Sequence, residues 1–389
     1  MINLAQVRAD TPACERLIHF NNAGCALSPS PVAAAVIEHL ELAQEIGGYE
    51  AAQQAEGAIN NFYTQLGLLL HCTETEVAFM ESATRAWQFA LLSLELKAGE
   101  QVITADNEYA SNYLSLLHLA QHRDIEVITV ESGADGLINP QHIKDNITNK
   151  TRAIAITHVA SQRGDIQTLT EIGEIARAHG LTYLVDACQS IGQVDVNLQQ
   201  LNCDFLCGTG RKYLRGPRGT GFLYANQETT EGLLPPVADL QAASWESASR
   251  LQLRPDALRF ESWERNIAGM IGLGKAVEYA NALGMEAIQA RVGQLAGLLH
   301  QKLRELPGVE VHERSTRLSG IVTLSKQDVE AAMLRQFLQE NGINSSIARK
   351  TNARLDLEPV LQRDVLRVSL HYYNSEEEID RFVDLLAQQ

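Results

Sequence analysis

The stretch from Leu181 to Tyr224 constrains the chain more than any other. An apolar run of β type, Thr182 to Val185, ends on Asp186. A second run, Cys203 to Cys207, leads into Gly208-Thr209-Gly210-Arg211-Lys212. Gly216, Pro217, Gly219 and Gly221 then shape a tight loop before a third run, Phe222 to Tyr224. Such runs, alternating with helices, build a mostly parallel sheet with helices on both faces. Ligands of these sheets sit at the carboxyl ends of the strands. Asp186 closes one strand and Lys212 lies just past the next, so the two are placed to converge.

The rest of the chain supports an α/β architecture. Glu76 to Met80 reads as a strand, and Glu81-Ser82-Ala83-Thr84 as a small-residue turn opening a helix to Leu94. Free amides and the helix dipole at such a start suit an anion. Simple capping by Ser82 or Thr84 is the alternative, with the same geometry. Strands follow at Gln101–Thr104, 125–130 and 152–159, the last a continuous apolar run as in a buried parallel sheet. Helical spacing marks Ser30–Ile46, 51–70, 139–147 and 169–178, the last closed by Gly180. Pro235, Pro236 and residues 238–250 read as a connection. Two long helices, 267–283 and 285–306, then strands at 309–312 and 320–324 and a helix over 329–341, read as a smaller α+β unit. These bounds give an N-terminal arm over 1–18, a large domain over 19–250 and a small C-terminal domain over 251–389.

Composition excludes several classes. Of 389 residues, 45% are hydrophobic and 21% charged, as in an ordinary globular enzyme. A net charge of -16 argues against a nucleic-acid or anionic-membrane partner. No apolar run has the length of a membrane span, and the start lacks a signal pattern, so a cytoplasmic location is expected. The cysteines, at 14, 25, 72, 188, 203 and 207, are scattered. No second pair completes a zinc site, so reduced thiols and no metal are expected.

The Asp186–Lys212 pairing suggests a chemistry. Pyridoxal 5'-phosphate needs a lysine to carry it covalently and an acid beside its ring nitrogen. An adjacent carboxylate keeps that nitrogen protonated. Asp186-Ala187-Cys188-Gln189 and Thr209-Gly210-Arg211-Lys212, with the Gly-Pro-x-Gly loop after them, resemble the class V aminotransferase family. That family includes cysteine desulfurases, C–S lyases and isopenicillin N epimerases. The resemblance implies fold type I of the pyridoxal-phosphate enzymes: a large domain with a mostly parallel sheet plus a smaller α+β domain. By resemblance Lys212 carries the cofactor, Asp186 pairs its ring nitrogen and Gln189 contacts its ring oxygen. Thr209 and Arg211 match phosphate positions, as do Ala83 and Thr84.

The likeness runs from about residue 18 to the end. Ile18 to Gly24 is similar to the family's entry turn and implies that Asn22 and Ala23 line the substrate pocket; a plain turn is the other reading. Tyr109 stands where relatives carry a ring-stacking histidine and can stack as well. Ser161, after the strand ending near Val159, falls where relatives place an asparagine near the ring. For Arg163 two readings are open, a contact to the substrate's second polar end and a surface role. Phe260 to Asn266 resembles the loop that crosses to the other subunit, which implies a homodimer. Glu264 replaces its expected threonine. Trp263 has two readings, a wall of the substrate pocket and a packing residue. Arg367-Val368-Ser369, with Tyr373-Asn374 after it, resembles the family's ending and implies that Arg367 grips the substrate α-carboxylate, which a guanidinium fork fits.

The resemblance leaves the reaction on an amino acid open among four types. Desulfurases need a nucleophilic cysteine ahead of the carboxylate-binding arginine. No cysteine follows Cys207, and residues 344–349 carry Ser345 and Ser346 instead. The expectation drawn is a C–S β-lyase on a cysteine-derived conjugate or sulfoxide. An aminotransferase using a 2-oxo acid, or an epimerase, is the alternative, and desulfuration is disfavoured.

Overall fold

The computed structural model describes residues 2–359, 361 and 363–389. Its centre is a seven-stranded sheet. In spatial order the strands are Val77–Met80, Gly221–Ala225, Phe205–Thr209, Thr182–Asp186, Thr151–Thr157, Gln101–Ala105 and Glu126–Val130. Gly221–Ala225 runs antiparallel to both neighbours, and the remaining pairs are parallel. The continuous apolar character of Thr182–Asp186 has a direct cause. Tyr183 and Val185 face one core and Leu184 the other, so neither face of Tyr183–Val185 meets water. Burying each such side chain is worth about 1.5–3 kcal/mol.

Helices cover both faces. Ala83–Leu92 packs on one, and Glu56–Leu70 with Ile267–Leu283 on the other. Thr170–His179 ends at Gly180, whose φ of 63° is left-handed and suits glycine. The helix expected over 51–70 is two, Gly48–Gln54 and Glu56–Leu70, broken at Ala55. Neither Pro nor Gly stands at the break, so periodicity could not show it. The expected connection after Pro236 contains an antiparallel hairpin, Ala243–Ser247 with Arg250–Leu253. Its outward residues carry no alternating pattern because most of them are exposed.

A second, four-stranded sheet holds Val309–Val311, Ile321–Lys326, Val365–Ser369 and Ser346–Ala348, in that order. Its core joins Leu295, Leu299, Val322, Val368 and Phe382 with Ile18 and Phe20 from the start of the chain. Ile18–His19 pairs in parallel with Ile343–Asn344, and Arg8 meets Glu378 at 2.7 Å. The first twenty residues are thereby tied to the last hundred. This brings the entry turn beside the strand that carries Arg367.

Candidate active site

Asp186, Lys212 and the start of the helix Ala83–Leu92 line one cleft at the carboxyl ends of the central strands, and Arg367 of the second sheet stands close enough for its charge to act on Lys212. Asp186 ends its strand buried, and both its oxygens are engaged. Oδ1 accepts from the backbone N–H of Cys188 at 2.8 Å and Oδ2 from Asn112 Nδ2 at 2.7 Å. Lys212 follows the strand Phe205–Thr209 and is also buried. Its Nζ lies 5.8 Å from the centre of the Tyr109 ring. Burial pushes its ammonium below the usual lysine range, with the positive charges of Arg211 and Arg367 adding to the shift. An amine with a lowered pKa is a better base and nucleophile near neutral pH.

Ser82 caps the helix Ala83–Leu92, its hydroxyl accepting from Arg85 N at 3.3 Å. The first amides of that helix face the cleft that Thr84, Thr209, Arg211 and Lys212 also line. Gly221 makes this approach possible: a Cβ there would come within 2.9 Å of Ala83 N and of the Ser82 carbonyl carbon. Arg211 is partly committed, one guanidinium nitrogen donating to Gly24 O. Thr209 Oγ1 lies 3.5 Å from Thr220 O.

Arg367 is buried in its strand and donates through one terminal nitrogen to Ser161 O at 2.5 Å. Ser161 therefore meets it by backbone. Burial lowers the pKa of Arg367. Gln189 Nε2 donates to Ala23 O at 3.2 Å, and Ala23 N donates to the hydroxyl oxygen of Ser369 at 2.9 Å. Asn22 is fully buried, donating to Ser369 O at 2.7 Å and accepting from the Tyr373 hydroxyl. It holds the entry turn to the second sheet, and its polar atoms are spent on that.

Three other sequence expectations take definite form. Arg163 is neither a surface arginine nor free to read a substrate. It is buried, with Nε 2.6 Å from Asp165 and a terminal nitrogen 2.7 Å from Asp356. Trp263 is 45% exposed and stacks obliquely near Tyr49, at 5.9 Å between ring centres. Glu264 is exposed. Within the same segment Glu261 is buried, bonded to the Tyr63 hydroxyl at 2.8 Å and to Phe79 N at 2.6 Å. It anchors the strand that leads into the Ser82 turn.

Sequence reasoning gives a role to Tyr109 but none to its neighbours Glu108 and Asn112. Asn112 Nδ2 bridges Glu108 Oε1, at 2.9 Å, and Asp186. Their spacing of four residues, bracketing a helix start, was the signal available. Cys188 and Arg218 also line the cleft.

Near the cleft, the buried atoms Gln189 Oε1 and Arg367 Nε have no hydrogen-bond partner among the described residues. They offer an acceptor to a ring hydroxyl and a donor to a carboxylate. With Asp186, Lys212 and the helix start, the donor set fits pyridoxal phosphate and an amino acid. It comprises an acid, an amine, an anion seat and a free guanidinium nitrogen.

Comparison with known proteins agrees. Residues 18–382 match the family model described as Aminotransferase class-V. A relative from Methanothermobacter thermautotrophicus named probable cysteine desulfurase is 27% identical, over 98% of this chain and 97% of its own length. The apo structure of a cysteine desulfurase from Thermococcus onnurineus superposes with a TM-score of 0.92 at 24% identity, covering 100% of this chain and 98% of that one. A C-DES structure with glycine covalently linked to its pyridoxal-phosphate cofactor gives 0.88 at 21% identity, covering 98% of each chain.

These relatives correct the expectation of a β-lyase on a cysteine conjugate, with its aminotransferase and epimerase alternatives. They also correct the exclusion of desulfuration behind it. That exclusion rested on one residue type in one short segment. The segment is ordered here as the strand Ser346–Ala348 and its approach, with Ser345 buried. The full-length relatives carry the name that was set aside. The chain belongs to the class V aminotransferase family, has the fold of the type I pyridoxal-phosphate enzymes, and takes pyridoxal 5'-phosphate as its cofactor.

Proposed function

We propose that this enzyme is a cysteine desulfurase, taking sulfur from L-cysteine and leaving L-alanine. The full-length likeness to the archaeal relative of that name carries the reading. Bound pyridoxal phosphate supplies a sink for the electron pair released when a bond at the substrate Cα breaks. Lys212 holds the cofactor and then moves the Cα proton, a task its lowered pKa favours. Asp186 sets its charge against the ring nitrogen, Gln189 contacts the ring oxygen, and Tyr109 covers the ring. Ala83, Thr84, Thr209 and Arg211 hold the phosphate. Arg367 grips the substrate carboxylate, and Ala23 and Ser161 complete the wall beside it.

Sulfur transfer needs a thiolate acceptor. It attacks the substrate sulfur and the Cβ–S bond breaks. The electron pair stays with the carbon skeleton, which takes up a proton to become alanine. The acceptor keeps the sulfur as a persulfide. Residues 344–349 offer serines, so we assign the acceptor to a thiol on another molecule. The reading includes a homodimer in the cytoplasm. Exposed Leu240, Trp245 and Leu251, on and beside the hairpin, favour a second copy covering them, and six unpaired cysteines suit a reducing compartment.

The test is turnover of L-cysteine by the holoenzyme in the presence of dithiothreitol. Alanine and sulfide should form in equal amounts. Pyruvate and ammonia in place of alanine would overturn the reading.

A further inference from the structure

Behind Asp186 lies a second buried carboxylate. Glu108 sits at the turn before the helix Ala110–Arg123 and is held from several elements. Thr157 Oγ1 donates to its Oε1 at 2.5 Å, and Tyr109 N donates to the same oxygen at 2.8 Å. Thr104 Oγ1 meets Oε2 at 3.2 Å. Asn112 Nδ2 then divides its two hydrogens between Glu108 and Asp186. A single amide thus joins two carboxylates, and only one of these lines the cofactor cleft.

We propose that Glu108 is a positioning residue: acting through Asn112, it fixes the Asp186 carboxylate toward the cofactor's ring nitrogen and keeps that nitrogen protonated. The reason is geometric. Asp186 needs a third donor only at the ring nitrogen, because Cys188 N and Asn112 already fix its two oxygens. Asn112 can hold its own orientation only while Glu108 accepts its other hydrogen. Releasing that bond frees the amide to turn, and with it the carboxylate.

Two like charges so close oppose each other, so one acid is best left uncharged. Burial, and after it the charge of Asp186, push Glu108 up to about 7. The other groups at the pair are the hydroxyls of Thr104 and Thr157 and the backbone N–H of Tyr109. Beyond Asp186 stand Lys212 and the thiols of Cys188 and Cys207. Glu108 is thus the member of the pair that tends to hold a proton, and it serves as the neutral acid.

The inference rests on Asp186 as the ring-nitrogen partner, and the experiment separates the two claims. Apoprotein is reconstituted with pyridoxal phosphate labelled with nitrogen-15 in the ring. The ring signal is then read near pH 7, alongside the cofactor dissociation constant. Glu108→Gln keeps the shape and the neutral charge, so its signal and affinity should match the parent. Glu108→Ala and Asn112→Ala cut the link from either side. Each should move the signal toward the unprotonated position and weaken cofactor binding about tenfold. Asp186→Asn should move the signal furthest. An unmoved signal in whichever of the two alanine variants folds overturns the proposal, as does a Glu108→Gln signal displaced like that of Glu108→Ala. An unmoved signal in Asp186→Asn overturns the underlying assignment instead.

Discussion

Arg163 meets Asp356 at 2.7 Å with both side chains buried, one from the loop beside the cleft and one from the segment before the strand Val365–Ser369. Asp165 holds the guanidinium from the other side at 2.6 Å. The charge is thus shared between the loop that carries Ser161 and the chain that leads to Arg367. Removing Asp356 leaves a buried cation with one partner. Asp356→Ala should destabilise the protein by about 3 kcal/mol, the low end for a broken buried pair, because Asp165 remains. Urea unfolding of the two proteins at neutral pH measures this. A change under about 0.5 kcal/mol, the range of ordinary surface substitutions, would refute it.

The central sheet was legible in the sequence because its strands are buried on both faces. Tyr183, Leu184 and Val185 are apolar in a row for that reason, and Gly180 marks the preceding helix end by its left-handed φ. The hairpin at 243–253 was not legible, because exposed strands leave no apolar pattern. The convergence of Asp186 and Lys212 followed from strand order and could be anticipated. The Glu108–Asn112–Asp186 contact could not, since it joins residues 74 apart through one amide. Arg163 shows the same limit. Nothing near it in sequence announces Asp356, almost two hundred residues on, as its partner.

Lys212 is the expected attachment point for the cofactor. Its burial and its position past the strand Phe205–Thr209 motivate this. Reduction of the holoenzyme with borohydride should fix a pyridoxyl group on the peptide containing Lys212, and Lys212→Ala should show no adduct. Mass spectrometry reads both results. An adduct on another lysine sinks the assignment.

His158 gives the fold an acid limit. Burial, with a smaller push from Arg317, lowers its pKa to about 4. The folded chain therefore refuses a proton that the unfolded chain accepts below its ordinary value near 6.5. The stability this confers is fully present above pH 6.5 and is lost as pH falls toward 4. His158→Gln removes that proton uptake. The variant should lose less stability than the parent between pH 7.5 and pH 5, by roughly 1–2 kcal/mol. Denaturant midpoints at the two pH values test this, and parallel losses in parent and variant would contradict it.

Arg367 carries the last prediction. One of its terminal nitrogens is engaged by Ser161 O at 2.5 Å, while Nε is buried without a partner among the described residues. A buried donor left unpaired costs free energy, which a substrate carboxylate would recover on binding. The backbone contact fixes the plane of the guanidinium in advance, so little side-chain entropy is lost at that moment. Arg367→Leu keeps much of the volume and removes the charge. It should weaken binding of L-cysteine by about 2–5 kcal/mol, as for truncation of a buried charge pair. The visible absorbance of bound cofactor should persist, because Lys212 and Asp186 are untouched. Arg367→Lys should recover only part of the loss, since an ammonium lacks the planar fork. Substrate titration followed by the cofactor's absorbance separates the two effects. A half-saturating concentration equal to the parent's would show that the carboxylate is held elsewhere.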